Sequence, residues 1–537
     1  MSEQDDMSLR QNDYALFLPA ISSFYAAYIG KQQVMNYVDP ARIPFANGME
    51  ALNFFNKQDG LFYYPWALYS AGHANIDKTK DDPKEYMIRK RDPNTFLIGD
   101  SGGFQIAKGK WPADWRAGSG DPAAEKKRKM VLEWLDEYTD YGMVLDIPAW
   151  VIFDEKASEA SCMKTHKDCV DATKYNNEYF IKNRKGVKNG GTRFLNVLQG
   201  SSHTESDDWY NQMKVFNDPN VYPDKHFDGW AMGGLNGSEI HLVLKRIVTM
   251  YHDGLLQEGL HDWIHFLGTS RLEWAVMLTA IQRAIRKYYN PSLTVSFDCA
   301  SPFLATANGL IYTTTITDDN KRWSYRTESS LDDKNYATDT RQYTAAVRQD
   351  GVYPKFDGSP VIDNCKVNDI CYYKPGDLNK IGKEGKTSWD SFSYALQMGH
   401  NVWMHIEAVQ RANREYDAGK LPTMLTRIEY DYVRFEKVVD DIFSQPTLEK
   451  SIELIEKYDR FWMQIVGLRG TTGKRSRSST TAFNMFFTPA NKNSDSSNDD
   501  REEDTMDPAE AYAQETSCVN DENLNQLEET IDAQENK

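Results

Sequence analysis

The sequence predicts an α/β protein built as a (β/α)8 barrel, and three observations carry that expectation. Short apolar or aromatic runs alternate with helical segments eight times between Tyr14 and Phe297, the pattern of parallel strands joined by crossover helices. Most of these runs close on an acid, a glutamine or a pair of glycines. Third, the stretch Phe96-Leu97-Ile98-Gly99-Asp100-Ser101-Gly102-Gly103-Phe104-Gln105 drives an apolar strand straight into an acid and then into Gly-Gly. That is how a buried parallel strand looks where it opens onto a ligand, because glycine lets the backbone approach closely. A doubly wound open sheet is the alternative that the same alternation allows.

In chain order, strands are expected near Tyr14–Pro19, Leu61–Leu68, Thr95–Ile98, Met143–Leu145, Phe194–Leu198, Gly229–Met232, Trp263–Leu267 and Leu293–Phe297. Between them, Ala124–Tyr138 is charged on one side and apolar on the other, and Arg271–Tyr288 repeats apolar residues at helical spacing; both predict helices. In such a barrel every C-terminal strand end opens onto one face, and that face holds the active site. Asp100, Asp146, Gln199–Gly200, Gly233–Gly234, Gly268–Arg271 and Asp298 would therefore converge on one mouth.

Composition narrows the setting. The 537-residue chain is 40% hydrophobic and 12% aromatic, enough to bury a large core. No apolar run approaches the length of a membrane span, and the polar start Met1–Asn12 has no signal-peptide pattern. Six scattered cysteines (162, 169, 299, 365, 371, 518) suit a reducing cytoplasm better than a disulfide scaffold. The net charge of −17 is lopsided: Ala490–Lys537 carries 15 acids against 3 bases, a charge of −12, which leaves −5 for the body. Rich in Ser, Asn, Asp and Glu, this tail is expected to be disordered. Basic clusters at Lys126–Lys129, Lys182–Arg193, Arg283–Lys287 and Arg469–Arg477 read as solvated faces.

The chemistry follows from the set at the mouth. Three carboxylates around one pocket suit displacement at an anomeric carbon, with one attacking and another moving protons. Gln199 both donates and accepts, and Gly233–Gly234 offers unobstructed N–H groups. Those features fit a flat heterocycle read along its edges, with Phe104 and Trp230 as aromatics that could stack on it or pack the core.

These residues resemble a known family. Asp100-Ser101-Gly102-Gly103-Phe104-Gln105, Val197-Leu198-Gln199-Gly200, Met232-Gly233-Gly234-Leu235 and Phe297-Asp298-Cys299 follow in the order and approximate spacing of tRNA-guanine transglycosylases. His400–Asn401 is similar to that family's zinc-binding His-Asn at the start of a helix. The resemblance covers roughly residues 95 to 410, and its six-residue Asp-Ser-Gly-Gly-Phe-Gln string is the specific part. It implies a TIM barrel that exchanges guanine in a polynucleotide for a 7-deazaguanine base. Carried over, Asp298 would be the nucleophile at C1′ and Asp100 the proton-transfer group. Ser101, Gly103, Phe104, Asp146, Gln199, Gly200, Gly233, Gly234 and Leu235 would hold the base. It also implies a structural Zn²⁺.

The departures redirect the substrate. The family's zinc site is Cys-x-Cys-x2-Cys followed by His, whereas this chain offers Cys365, Cys371 and His400, with the fourth position open to an oxygen ligand such as Asp369 or to solvent. After the nucleophile the tRNA enzymes carry an arginine-rich segment, but Ala300–Gly309 here has no basic residue. Asp146 is followed by Ile147–Pro148 where the family has a cysteine close to the acid. No small RNA-binding β-domain is evident beyond Asn401. The pattern resembles the phage-type DNA-guanine transglycosylase branch.

The organisation expected is a catalytic barrel over 1–310 and a zinc-site-like subdomain with a closing helix over 311–410. A helical C-terminal region (411–470) and a Ser-rich basic linker with the acidic tail (471–537) follow. The expected activity replaces guanine in DNA, single-stranded or flipped out, with a preQ0-like 7-deazaguanine. A homodimer or partner proteins remain open, no membrane is involved, and the setting is the cytoplasm (a host's, if phage-encoded). A tRNA transglycosylase, a non-catalytic nucleic-acid-binding subunit and a sugar-processing barrel are the alternatives.

Overall fold

Eight parallel strands, in hydrogen-bonded order β1-β8-β7-β6-β5-β4-β3-β2, form the centre of the protein. They are β1 (Leu16–Pro19), β2 (Trp66–Ser70), β3 (Phe96–Asp100), β4 (Tyr141–Met143), β5 (Arg193–Leu198), β6 (Gly229–Met232), β7 (Trp263–Phe266) and β8 (Thr294–Cys299). The parallel bridge Ala20↔Leu68 joins the residue after β1 to the middle of β2 and nearly closes the sheet into a (β/α)8 TIM barrel. The open-sheet alternative is thereby set aside. This computed structural model describes residues 6–35, 38–317, 323–374, 389–426 and 433–465. The acidic tail and the Arg469–Arg477 cluster lie outside the described residues.

Side chains alternate across a strand, so registered partners share a face. Three barrel layers follow from that rule. At the bottom, Phe96, Tyr141 and Trp263 stack, with the Trp263 ring centroid 4.8 Å from each of the other two. Above them lie Leu68, Ile98, Met143, Leu195 and His265, and at the top Ser70 pairs with Asp100 while Leu18 pairs with Asp298. The interior thus grades from an aromatic plug through an apolar layer to a polar mouth. Gly99 faces outward, where a Cβ would meet Leu135 Cδ2 at 2.4 Å. Its missing side chain lets the helix Pro122–Tyr138 sit close against β3.

After the barrel, β9 (Leu310–Ile316) and β10 (Ser324–Ser329) pair antiparallel. A 27-residue helix, Ser391–Asp417, then lies against the outer face of β1 and β8, where His405 stacks on Phe17 at 4.6 Å and its Nε2 lies 3.6 Å from Cys299 Sγ. His400 and Asn401 therefore sit well inside this helix, not at its start. Helices Phe435–Phe443, Leu448–Lys457 and Asp459–Gln464 complete the described chain. The main hydrophobic core runs from Met7 to Ile465, so the segments after residue 310 pack onto the barrel instead of building large cores of their own.

Candidate active site

The strand ends of the polar mouth bring the carboxylates together. Asp100 ends β3, and its Oδ2 accepts from Ser70 Oγ at 2.6 Å and, at a long 3.3 Å, from the Gly102 amide. Burial pushes its pKa up, the Ser70 hydrogen bond opposes the shift, and the charge of Asp298 adds to it. Asp146 lies three residues past β4. Burial raises its pKa to about 7, against a hydrogen bond from Gln199 and together with the charge of Asp100. Each acid senses the next, as expected of three carboxylates facing one pocket.

Asp298 is held differently. Its Oδ1 takes two donors, His265 Nε2 at 3.1 Å and the Gly268 amide at 3.0 Å. Oδ2 has no hydrogen bond from the described residues, and the side chain keeps 9% exposure. The tautomer of His265 follows from its neighbours. Trp263 Nε1 can only donate, and it gives its hydrogen to Ser296 Oγ at 2.7 Å. The Ser296 hydroxyl then donates to His265 Nδ1 at 2.8 Å, which leaves the proton on Nε2, facing Asp298. A Trp-Ser-His relay thus fixes one oxygen of Asp298 and leaves the other turned to the mouth.

The remaining wall is built from close backbone approaches. Gln199 Nε2 donates to Asp146 Oδ2 at 2.8 Å. A Cβ on Gly103 would stand 2.4 Å from the Asp146 carbonyl oxygen and 2.8 Å from its Oδ1. On Gly233 it would meet Gln199 Nε2 at 2.9 Å. Gly234 adopts φ 54°, ψ −138°, a region essentially restricted to glycine, with the Gly200 carbonyl 2.6 Å from where a Cβ would be. Leu235 N donates to that same carbonyl at 3.1 Å, and Asn236 Nδ2 donates to the Gln199 carbonyl at 3.0 Å. Gly103, Asp146, Gln199, Gly200, Gly233, Gly234 and Leu235 are therefore one contiguous surface. Ser101 is fully buried beside it with an unpartnered hydroxyl. Phe104 is half-buried and lies 5.7 Å from Trp150, with Lys108 Nζ near both rings. Trp230, by contrast, faces away from the mouth. It is fully buried on the helix side against Tyr210, and its Nε1 donates to the Leu255 carbonyl.

Cys365, Cys371 and His400 do not assemble as a zinc set. His400 Nε2 faces the Tyr312 carbonyl at 2.8 Å and so carries the proton, while Nδ1 accepts from Ser359 Oγ at 2.8 Å. Burial lowers its pKa to about 4 and keeps the ring neutral, so both nitrogens are already engaged. Cys365 Sγ donates to the Val361 carbonyl at 3.3 Å and Cys371 Sγ to the Leu331 carbonyl at 3.2 Å, and burial holds the Cys365 thiol protonated. Asp369 Oδ2 accepts from the Lys366 amide at 2.7 Å. Among the described residues, the trios whose ligand atoms converge within 4.8 Å are His203/Glu239/His241 and His241/Glu456/Asp459, neither of which includes a cysteine. These donors do not fit a four-coordinate zinc. The expectation rested on residue types in the right order, and order does not fix where irregular chain points its side chains.

Sequence reasoning missed Ser70, His265 and Ser296. Their one signal was parity: each has the same inward alternation as the acid it serves. Neither models of known protein families nor the curated proteins compared with this chain match it.

Proposed function

We propose that the protein is a base-exchange transglycosylase that replaces guanine in DNA with a 7-deazaguanine. The observation that carries this reading is the pair of acids at the mouth. Asp298 has one oxygen fastened and one free, and burial raises the pKa of Asp100, which favours its holding a proton. Asp298 Oδ2 attacks C1′ of the nucleotide, the C1′–N9 bond breaks, and Asp100 supplies the proton that guanine takes away. The incoming 7-deazaguanine returns a proton from N9 to Asp100, attacks C1′ and releases Asp298. Two inversions give net retention, as in retaining glycosidases. The target base must leave the helical stack or be met in a single strand. Asp146, Gln199 and the Gly233–Leu235 backbone present acceptors and donors along one edge of such a base.

One observation favours DNA over tRNA. The segment after the nucleophile, Ser301–Ala307, folds as a short helix whose Pro302, Phe303, Leu304, Ala305 and Thr306 are buried. It therefore presents no basic side chain to a polynucleotide. The exchange needs no metal in its steps, and none of the proposed roles passes through Cys365, Cys371 or His400.

The test is direct. Host cells expressing the protein are supplied with preQ0-type bases, and their DNA and RNA are digested separately to nucleosides for mass spectrometry. A 7-deazaguanine deoxynucleoside is the expected product. Modified ribonucleosides alone would move the substrate to RNA, and neither product, with soluble protein present, would overturn the reading.

A further inference from the structure

Away from the mouth, three separate parts of the chain bring imidazoles and carboxylates to one place. His203 is the first residue of the helix His203–Met213, which follows β5 and Gln199–Gly200. Glu239 caps the helix Ile240–His252, which follows β6 and Gly233–Leu235, and His241 is that helix's second residue. Glu456 lies near the end of the helix Leu448–Lys457, and Asp459 opens the next. The ligand atoms of His203, Glu239 and His241 all lie within 4.8 Å of one another, and so do those of His241, Glu456 and Asp459.

Glu239 Oε2 accepts from the Leu242 amide at 2.8 Å and, as a carboxylate oxygen, keeps a lone pair for a cation. His203 Nε2 is buried and makes no hydrogen bond, yet it lies 3.2 Å from Glu239 Oε2. Ligand atoms bound at about 2.0–2.1 Å around a tetrahedral ion stand about 3.3 Å apart. His241 Nε2 lies 2.8 Å from Glu456 Oε1, and the two imidazole centroids are 5.4 Å apart. Side chains of His203 and Glu239 are each 15% exposed and Glu456 is 47% exposed, so the cluster is sheltered on one side and open on the other. Two imidazoles and a carboxylate, from His203, His241 and Glu239, suit a first-row transition ion. Calcium and magnesium prefer oxygen alone, and a sulfur site is absent from this cluster.

The geometry points to a divalent transition-metal site, with Zn²⁺ the best fit, held by His203, Glu239 and His241 with solvent in the fourth position. The site borders the C-terminal helices, where Glu456 hydrogen-bonds to His241. The ion ties the segment after β5 to the segment after β6, three residues from Asn236, which holds the Gln199 carbonyl. The site is therefore structural, and it does not depend on the reaction proposed above.

Chelator-treated full-length protein, titrated with Zn²⁺ alone and then desalted, is expected to retain one equivalent. Co²⁺ in its place should give visible d–d bands without the near-ultraviolet charge-transfer band of thiolate ligation. His203→Ala and His241→Ala are expected to weaken Zn²⁺ binding by at least about 100-fold, and Zn²⁺ should raise Tm in the parent protein but not in these variants. Cys365→Ala should bind as the parent does. His203 is near the surface and its variant is expected to fold; if His241→Ala does not, His203→Ala and Glu239→Gln decide. Less than about a tenth of an equivalent in the parent, full retention by His203→Ala, or loss in Cys365→Ala would each overturn the site.

Discussion

The mouth of the barrel and the region around His400 both bury titratable side chains, but they differ in how those side chains are satisfied. At His400 the imidazole and both thiols have partners: Ser359 on one nitrogen, the Tyr312 carbonyl on the other, and backbone carbonyls for the thiols. At the mouth the pairing is lopsided. Asp298 carries two donors on Oδ1 and none on Oδ2, and Asp100 and Asp146 are held near one another against mutual repulsion. Fully paired polar groups stabilise a fold, whereas a partly paired set held at an electrostatic cost is what chemistry requires.

The sharpest way to break this contrast is to remove the open oxygen. Asp298→Asn is expected to abolish exchange and any covalent adduct with DNA, because an amide oxygen is a poor nucleophile at carbon and no other path remains. A denaturing gel of protein incubated with guanine-containing DNA reads this directly. An adduct formed by Asp298→Asn would sink the assignment. Asp100→Asn should cost less, about 10²–10⁴-fold for loss of a positioned acid/base. It should still accumulate some adduct and then stall, and should be trapped by DNA and not by tRNA.

One step back from the reacting atoms, His265→Ala removes a donor from Oδ1 and leaves Oδ2 untouched. Losing the orientation of the nucleophile is expected to lower the rate by about 100-fold. The loss should fall on kcat and leave KM near its parent value, which a merely destabilised protein would not show.

How much of this was legible beforehand divides along the same line. In the barrel, topology places residues: a strand end is at the mouth wherever the strand goes, so Asp100, Gln199, Gly233–Gly234 and Asp298 could be put in one place from alternation alone. Ser70 and His265 were hidden because a serine or histidine within an apolar strand gives no hint of its partner until register is known. Cys365, Cys371 and His400 depend on short turns and on the rotation of one long helix, which spacing does not specify. The cluster at His203, Glu239 and His241 joins the helix after β5 to the helix after β6 and was invisible for that reason.

Asp146 offers a test of cost in place of rate. Its pKa is raised to about 7, mainly by burial, so the folded state binds more protons than the unfolded chain between roughly pH 4 and 7. Stability from this group is present at low pH and falls as pH rises through that window. Asp146→Asn should therefore be more stable than the parent at pH 8, by about 1–3 kcal/mol, while binding the base less well. Urea denaturation at pH 5 and pH 8 checks it: the gain should shrink at the lower pH. An equal gain at both would mean that packing, not charge, is responsible.

The smallest expected effect belongs to the cysteine. Cys365 is fully buried, and its thiol reaches only the Val361 carbonyl. Replacing it with alanine removes one weak donor and a sulfur-sized volume, which should cost about 1–2 kcal/mol. A zinc ligand would behave otherwise. Removing one of four ligands from a structural zinc forfeits most of a binding energy of about 10–16 kcal/mol, and at that scale the surrounding segment would not fold. Cys365→Ala therefore separates the two accounts by both size and kind. A modest drop in Tm with metal content unchanged fits a thiol that merely fills space. Simultaneous loss of one zinc and of cooperative unfolding would return the metal to the region around His400, because only a shared ligand couples those two readouts at a single buried sulfur.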